Sequence, residues 1–302
     1  MASKRFVTIT KNGNNPAYQG ARSGVDRLSA KLGVSVEHLT PVVPDSIAEQ
    51  IEFLKQVLRD PPAALLISPA HVTDLDNALE RVRDAGIPVV MFVGQTARRD
   101  LALSFVGSDD RSMTGAVGGA VGSAIGGQGR AFIIDGNPLG ILYEPRAAGF
   151  RDGLALYPGI ALVAARDGDF LRKPAHAAML ALLEEHGAPD AVLVANDFSA
   201  LGVIDALREH GMRACVGAVN ATPDGIAAIR RGEMLVTAAF NAMAMGCIAL
   251  EAAIRIENGQ NVPRQIVLPA ELVTGNNLAQ WDAPYVQRPL PDWNDTVAAF
   301  AA

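Results

Sequence analysis

Cysteines and basic residues are both scarce in this sequence, and their scarcity limits what the protein can do. Only two cysteines occur, Cys215 and Cys247, without the spacing of a metal site, so we predict two buried structural thiols and no metal. The 26 lysines and arginines are outnumbered by 32 acidic residues, and the net charge of −6 leaves no basic face. Binding to nucleic acid or to an anionic membrane surface is therefore not expected.

Long apolar runs and catalytic signatures are missing as well. No stretch approaches the ~20 apolar residues that a membrane-spanning helix needs, and residues 1–5 do not have the pattern of a signal peptide. We find no nucleophile elbow, P-loop or zinc pattern, and the five histidines are scattered. The sequence predicts no enzyme, no catalytic residue and no cofactor.

Three local patterns admit a structural and a functional interpretation. The glycines of residues 126–129 look like a phosphate-binding loop, but they precede a strand, so we interpret them as a helix stop. Asp109 and Asp110 could serve as an acid-base pair, although helix capping or a hinge role is favoured. The small-residue pattern at Gly115, Gly118, Gly119 and Gly122 predicts close helix packing.

A repeated strand and helix pattern fills the rest of the chain. At 302 residues the length suits two domains. Strand patterns begin near residues 6, 34, 63 and 88 and restart near 130, 160, 191 and 215, each followed by a helical pattern. Because parallel neighbours need a long, usually helical crossover, this near-repeat predicts two similar α/β lobes with parallel sheets. A further strand and helix and an extended run at 265–274 would complete the sheets.

Polar side chains recur where the predicted strands end, which is where open α/β sheets hold ligands. They are Asn15, Tyr18, Gln95, Asn137, Arg146, Asn196, Asp197 and Asn220. Helix N-capping competes with ligand binding at Asn15 before Pro16, at Asp197, and at Thr222 before Pro223. Amides and a guanidinium suit a neutral, hydroxyl-rich ligand, and an aromatic face covers its C–H surface.

The chain resembles the type I periplasmic solute-binding proteins of sugar ABC transporters, the ribose-binding-protein-like group, over essentially its whole length. The matching stretches are NNPAYQGARSGVDRLSAKLG, AGIPVV, FVGSDD, EPRAAGFRDGL, DGDF, VANDFSALGVIDALREHG and NATPDGIAAIRRGEM. The resemblance implies doubly wound lobes joined by a three-crossover hinge, with a ligand cleft between them that closes on binding. Residues 1–107 plus 240–268 would form the N-terminal lobe, and 108–239 plus 269–302 the C-terminal lobe.

Carried over by position, the resemblance implies a set of ligand-binding residues. They are Asn15, Tyr18, Gln95, Arg146, Phe170, Asn196, Asn220 and Phe240. Four positions depart from the ribose binders. Asn220 replaces an aspartate, Val93-Gly94 an Asp-Arg pair, Ala17 an aromatic residue and Phe240 a glutamine. These departures argue against ribose itself, since a buried sugar hydroxyl without a partner costs about 1 to 3 kcal/mol. They favour a smaller, flatter or partly apolar ligand such as a polyol or deoxysugar, or one that uses Gln95 or Asn241 instead.

The predicted function is to bind a small neutral carbohydrate or polyol in the periplasm, as a monomer, and to deliver it to the permease of an ABC transporter. A leader for export would have to precede these residues. The alternative is a sensor, either the effector-binding domain of a lac-repressor-like regulator or the ligand carrier of a chemoreceptor.

Overall fold

The computed structural model describes residues 4–300 and shows two mainly parallel sheets, with α-helices between most of the successive strands. The strands are β1 (Arg5–Ile9), β2 (Ser35–Leu39), β3 (Ala64–Ile67), β4 (Val89–Phe92), β5 (Ser104–Gly107), β6 (Gln128–Asp135), β7 (Gly159–Asp167), β8 (Ala191–Val194), β9 (Cys215–Val219), β10 (Val236–Ala239), β11 (Gln265–Val267) and β12 (Glu271–Thr274). The helices are α1 (Pro16–Leu32), α2 (Ile47–Arg59), α3 (Asp76–Asp84), α4 (Asp110–Ala124), α5 (Tyr143–Ala155), α6 (Arg172–His186), α7 (Asp197–Glu209), α8 (Pro223–Arg230), α9 (Ala242–Glu257) and α10 (Trp293–Val297).

The chain divides into two compact units. Unit 1 comprises the chain up to Ser108, Asn241–Leu268 and the chain from Tyr285 onward, whereas unit 2 comprises Asp109–Phe240 and Pro269–Pro284. The chain therefore passes from one unit to the other four times, once more than the sequence analysis expects.

Unit 1 contains a six-stranded sheet in the order β11-β5-β4-β3-β1-β2, and every pair of neighbours is parallel. The short strands β3 and β4 are buried at every position because helices cover both faces. Val7, Ile9, Leu65, Ile67 and Leu79 belong to the core on one face. Helix α9 contacts β3, β4 and β5, so a helix from late in the chain completes this unit.

Unit 2 contains a second six-stranded sheet, in the order β12-β10-β9-β8-β6-β7. Its strands are parallel except for β12, which pairs antiparallel with β10. The predicted extended run at 265–274 is thus two strands, one in each sheet. They are separated at Pro269, where the missing backbone N–H prevents a continuous ladder.

Helices α4 and α5 of unit 2 pack along a seam of glycines, which confirms the predicted close packing. A Cβ added to Gly118 would lie 3.0 Å from the Phe150 carbonyl oxygen, and one added to Gly153 would overlap the Gly115 carbonyl oxygen. The helix stop is also confirmed. Gly126 has φ 72° after the last turn of α4, in the left-handed region that glycine adopts without steric cost.

The C-terminal tail corrects the predicted lobe boundary. The sequence analysis places all of residues 269–302 with the C-terminal lobe, but the segment from Tyr285 onward belongs to unit 1. Arg27 of α1 donates to the carbonyl oxygens of Tyr285 and Arg288, both at 2.7 Å. The guanidinium of Arg255, in α9, lies 4.6 Å from the centre of the Trp293 ring. Hydrogen bonds to the backbone and a cation–π contact therefore fix this tail on unit 1.

Candidate ligand-binding site

Arg146 lies in the first turn of α5 and is 2% exposed. Its Nε donates to Asp110 Oδ1 at 2.7 Å, and its Nη1 donates to the Ala195 carbonyl oxygen at 2.6 Å. The third nitrogen, Nη2, is buried and has no hydrogen-bond partner within residues 4–300. A buried donor without an acceptor costs about 1 to 3 kcal/mol, and more when it is charged. Nη2 is therefore a group for which a ligand oxygen would be a favourable partner.

Two aromatic rings flank the Arg146 guanidinium. Its carbon lies 4.9 Å from the centre of the Phe240 ring and 5.9 Å from the centre of the Phe170 ring. Phe170 has φ 57°, and its carbonyl oxygen accepts a hydrogen bond from Asn196 Nδ2 at 3.0 Å. A Cβ at Gly136 would overlap the Phe170 ring, so glycine is required there. The structure thus brings two of the predicted site residues of unit 2, Phe170 and Phe240, to a third, the Arg146 cation.

The side chain of Asn196 forms two hydrogen bonds to other parts of unit 2. Its Oδ1 accepts from Ser199 N at 2.7 Å, which makes Asn196 the N-cap of α7. This corrects the sequence analysis, which offers Asp197 as the cap. Asp197 is instead the first residue of the helix, and its carboxylate accepts hydrogen bonds from Thr222. Because Nδ2 carries two hydrogens and Phe170 takes one, Asn196 keeps a single donor for a ligand.

Asn220 directly follows β9 and has an unusual backbone conformation and an unsatisfied side chain. Its φ is 124°, which few residues other than glycine adopt, and its backbone N–H donates to the Ala238 carbonyl oxygen at 2.8 Å. The side chain is 6% exposed, and its Oδ1 has no hydrogen-bond partner in the described part of the chain. Unit 2 therefore contains a buried orphan donor on Arg146 and a buried orphan acceptor on Asn220.

The two predicted site residues of α1 lie in unit 1. Asn15 is the N-cap of α1, with Oδ1 accepting from Ala17 N at 3.0 Å, so its capping role is confirmed. Its own backbone N–H donates to Asn12 Oδ1 at 3.0 Å, which shapes the turn after β1. Tyr18 is 5% exposed, and its hydroxyl accepts a hydrogen bond of 3.4 Å from Ser68 Oγ. Asn15 retains its Nδ2 hydrogens as possible donors to a ligand.

Unit 1 also contains a buried ion pair that the sequence analysis does not find. Lys11 lies two residues after the end of β1 and is 5% exposed, and its Nζ lies 3.5 Å from Asp45 Oδ1. The one sequence signal is that a lysine follows a strand that ends in buried residues. Its partner lies in the loop after β2, too far along the chain for a local pattern to indicate. The buried cations Lys11 and Arg146 are thus each paired with a carboxylate.

Gln95 and Asn241 do not join Asn15 and Tyr18. Gln95 Oε1 accepts from Gln265 Nε2 at 3.2 Å, beside the amino end of β11, and Gln95 lines a small cavity there of about 220 Å³. Asn241 is the N-cap of α9, with φ 52° and Oδ1 accepting from Ala244 N at 3.3 Å. Both side chains thus have partners inside unit 1, and a contact of Gln95 or Asn241 with a ligand stays a prediction.

A titratable carboxyl group lies at the end of β6. Asp135 is 2% exposed, and burial raises its pKa to about 6. Arg151 Nη2, at 3.4 Å, counteracts this rise, whereas the nearby carboxylates of Asp167 and Glu144 add to it.

Neither cysteine is suited to chemistry at neutral pH. Burial raises the pKa of Cys247 to about 12 and that of Cys215 to about 11. Both thiols are free.

Within residues 4–300 there is no grouping of three His, Cys, Asp or Glu side chains that could hold a metal ion. The helices described here are also too short or too polar to span a bilayer.

Comparison with known proteins identifies the family. Residues 6–261 match the family described as the periplasmic binding protein domain. The chain belongs to this family. The match runs from β1 to the segment just before β11 and so includes strands of both units. The predicted resemblance to type I periplasmic solute-binding proteins is confirmed.

Individual relatives are similar along most of their length. The putative rhizopine-binding protein of Rhizobium meliloti is 27% identical over 286 residues, which covers 92% of this chain and 88% of the relative. The ribose import binding protein of Bacillus subtilis is 24% identical over 261 residues, or 86% of this chain and 84% of the relative. The Caulobacter myo-inositol binding protein bound to myo-inositol superposes with a TM-score of 0.86 at 24% identity, covering 93% and 96% of the chains. This superposition confirms the predicted fold of two mainly parallel-sheet lobes.

Proposed function

We propose that the protein binds a small neutral carbohydrate or polyol, without reacting with it, and delivers it to the permease of an ABC transporter in the periplasm. The observation that carries the proposal is the orphan donor Arg146 Nη2 and the orphan acceptor Asn220 Oδ1, together with the rings of Phe170 and Phe240. A hydroxyl group both donates and accepts a hydrogen bond, so one ligand class can satisfy both orphans. Asn15 and Tyr18 of unit 1 are proposed to take part.

The charges at the candidate residues favour a neutral ligand. Arg146 is paired with Asp110 at 2.7 Å, and Lys11 with Asp45 at 3.5 Å, so neither buried cation requires an anionic partner. A ligand carboxylate would add a buried negative charge beside Asp110, and its desolvation would not be repaid. The two atoms without a partner are an N–H of a guanidinium that is already paired with Asp110 and the amide oxygen of Asn220.

Aromatic surfaces favour a ligand that also has C–H faces. Phe170 and Phe240 are 6% and 3% exposed, and the centres of their rings lie 5.9 Å and 4.9 Å from the Arg146 guanidinium carbon. Sugars and cyclic or linear polyols offer C–H edges to such rings. Delivery to a permease is proposed from the ribose import binding protein among the relatives, since nothing in the fold itself requires it.

A ligand screen by thermal unfolding tests the proposal. The panel contains pentoses, hexoses, tetritols, pentitols, hexitols and myo-inositol, and the matched controls are the corresponding sugar acids. Binding at a hundredfold excess over Kd stabilises the folded state by about 2.7 kcal/mol, which raises the Tm by several degrees. We expect a shift with at least one neutral member and none with its acid. A panel without any shift, or a larger shift with the acid, would contradict the proposal.

Transport is tested separately from binding. A strain that lacks this protein should lose uptake of the solute found in the screen, and the wild-type protein should restore it. Restoration by an Arg146→Lys variant should be weaker. Uptake that does not depend on the protein would leave binding intact and refute delivery.

A further inference from the structure

Asp197 is a fully buried carboxyl group at the first position of α7. Its Oδ2 accepts hydrogen bonds from Thr222 N at 2.7 Å and from Thr222 Oγ1 at 3.0 Å. Its Oδ1 accepts from Thr237 Oγ1 at 2.6 Å. One carboxylate thereby joins three segments of unit 2, namely the start of α7, the loop after β9, and β10.

The negative charge of Asp197 sets the direction of the next hydrogen bonds. Each threonine hydroxyl has one hydrogen, and both hydroxyls give it to the carboxylate. Their oxygens are then left to accept from the backbone. Thr237 Oγ1 accepts from Ala221 N at 3.3 Å, and Thr222 Oγ1 accepts from Gly225 N at 3.2 Å. The carboxylate therefore reaches the backbone after β9 through two hydroxyl groups as well as directly.

The backbone that these bonds hold is strained. Asn220 has φ 124° and Ala221 has φ 49°, so two consecutive residues other than glycine lie at positive φ. Such conformations persist only where the surroundings impose them, and they concentrate at functional sites. The bonds from Ala221 N and Thr222 N, on the residues that follow Asn220, supply that constraint.

We propose that Asp197 is a positioning residue, which holds the strained Asn220–Ala221 backbone through Thr222 and Thr237 and so directs the Asn220 side-chain oxygen toward the ligand. The inference rests on the proposed function, because the ligand is what Asn220 is proposed to bind. It assigns a role to a buried carboxylate that makes no contact with ligand itself.

The environment of Asp197 makes this role measurable. Burial raises its pKa to about 6, although the two threonines and Arg146 counteract the rise. Arg146, from α5, is the charged group that acts on this carboxyl, while β10, the loop after β9 and α8 present the uncharged Thr237, Thr222 and Gly225. Protonation of Asp197 adds a hydrogen to a carboxylate oxygen that accepts a hydrogen bond from a threonine, and so disturbs that bond. The amides of Ala221 and Thr222, which belong to the same network, should therefore follow the titration of Asp197.

The first test needs no ligand. Amide hydrogen exchange and amide chemical shifts are measured for the wild-type protein, for Thr237→Val, which removes the hydroxyl, and for Thr237→Ser, which retains it. We expect the Ala221 amide to exchange about tenfold faster in Thr237→Val and to return to within a few-fold of wild type in Thr237→Ser. The Ala221 and Thr222 amide shifts should follow one titration near pH 6 in the wild type. Unchanged exchange in Thr237→Val would overturn the proposal.

The second test uses D-ribose, myo-inositol and xylitol as probes, with affinity measured by titration calorimetry. For whichever probe binds, Thr237→Val should weaken binding about tenfold, and Thr237→Ser should restore it. The control is Asp190→Asn. Asp190 also accepts a backbone hydrogen bond, from Arg130 N at 2.7 Å, but at the amino end of the same sheet. It should leave affinity unchanged. Wild-type affinity in Thr237→Val would overturn the proposal, and equal losses in the control would do the same. If exchange responds as expected but the wild type binds no sugar or polyol, the proposed function fails while the hold on the backbone stands.

Discussion

Replacing Arg146 by lysine separates its two roles, as a partner in a buried ion pair and as a donor to the ligand. Lysine keeps the positive charge that Asp110 requires, but one ammonium group cannot reproduce a planar guanidinium that donates to Asp110, to the Ala195 carbonyl and to a ligand at once. We expect the variant to fold, because the buried carboxylate still has a cation.

The expected magnitudes differ for the two roles. Loss of the bond to Ala195 should lower the free energy of unfolding by about 1 to 2 kcal/mol. Loss of the Nη2 donor removes a charge-assisted hydrogen bond worth about 1.5 to 3 kcal/mol, which weakens ligand affinity about 10-fold to 150-fold. Arg146→Met should be far more damaging, by about 3 to 5 kcal/mol, because Asp110 then remains buried without a cation.

The assay combines urea unfolding of the free protein with calorimetric titration of the solute found in the thermal screen. Arg151→Lys is the matched control, since Arg151 lies on the same helix, donates to the Ala147 carbonyl at 2.8 Å, and is half-exposed. It should bind as the wild type does. If Arg146→Lys lost stability but bound its ligand with wild-type affinity, Nη2 would not be a ligand donor and the assignment of the site to this side chain would be refuted.

Three further predictions concern other parts of the two units. Tyr18→Ala should cost about 3 to 5 kcal/mol in urea unfolding, because the aromatic side chain is buried; a small loss would contradict the burial. The raised pKa of Asp135 means that its protonated form favours the folded state. Its contribution is therefore full below about pH 4 and lost as pH rises through 6, so the stability of Asp135→Asn relative to wild type should rise across that window by on the order of 1 kcal/mol. Gly153→Ala should destabilise the protein by more than about 1 kcal/mol, since the new Cβ would overlap the Gly115 carbonyl oxygen. Gly119→Ala is the control, because its Cβ would make only an ordinary 3.9 Å contact with Leu156 Cδ1.

Much of the fold can be predicted from the sequence because the patterns that specify its strands and helices are local and recur along the chain. Strand patterns at nearly equal spacing require parallel sheets, and Asn15 before Pro16 indicates the start of α1. The split of residues 265–274 between two sheets could be suspected only from Pro269. The return of the tail to unit 1 depends on Arg27 and on other contacts between segments far apart in sequence, which no local pattern encodes.

The site is less predictable than the fold for the same reason. Residue types at strand ends identify Arg146 and Asn220, yet not which of their atoms are left without a partner. Asn196 has the right type and position, but its side chain is largely consumed by the cap of α7 and by Phe170. The Lys11–Asp45 pair joins two loops and is visible only when β1 and β2 are placed side by side.

The late position of helix α9 has a consequence for the order in which the protein is made. When Phe240 has been added to the growing chain, every part of unit 2 has been synthesised except the segment that contains β12, whereas unit 1 still lacks α9, β11 and the tail. The apolar faces of β3, β4 and β5 that α9 covers remain open until about the last fifth of the chain emerges. The second unit in sequence is therefore expected to fold first, and the first unit to wait, exposed to chaperones and proteases, for its missing helix.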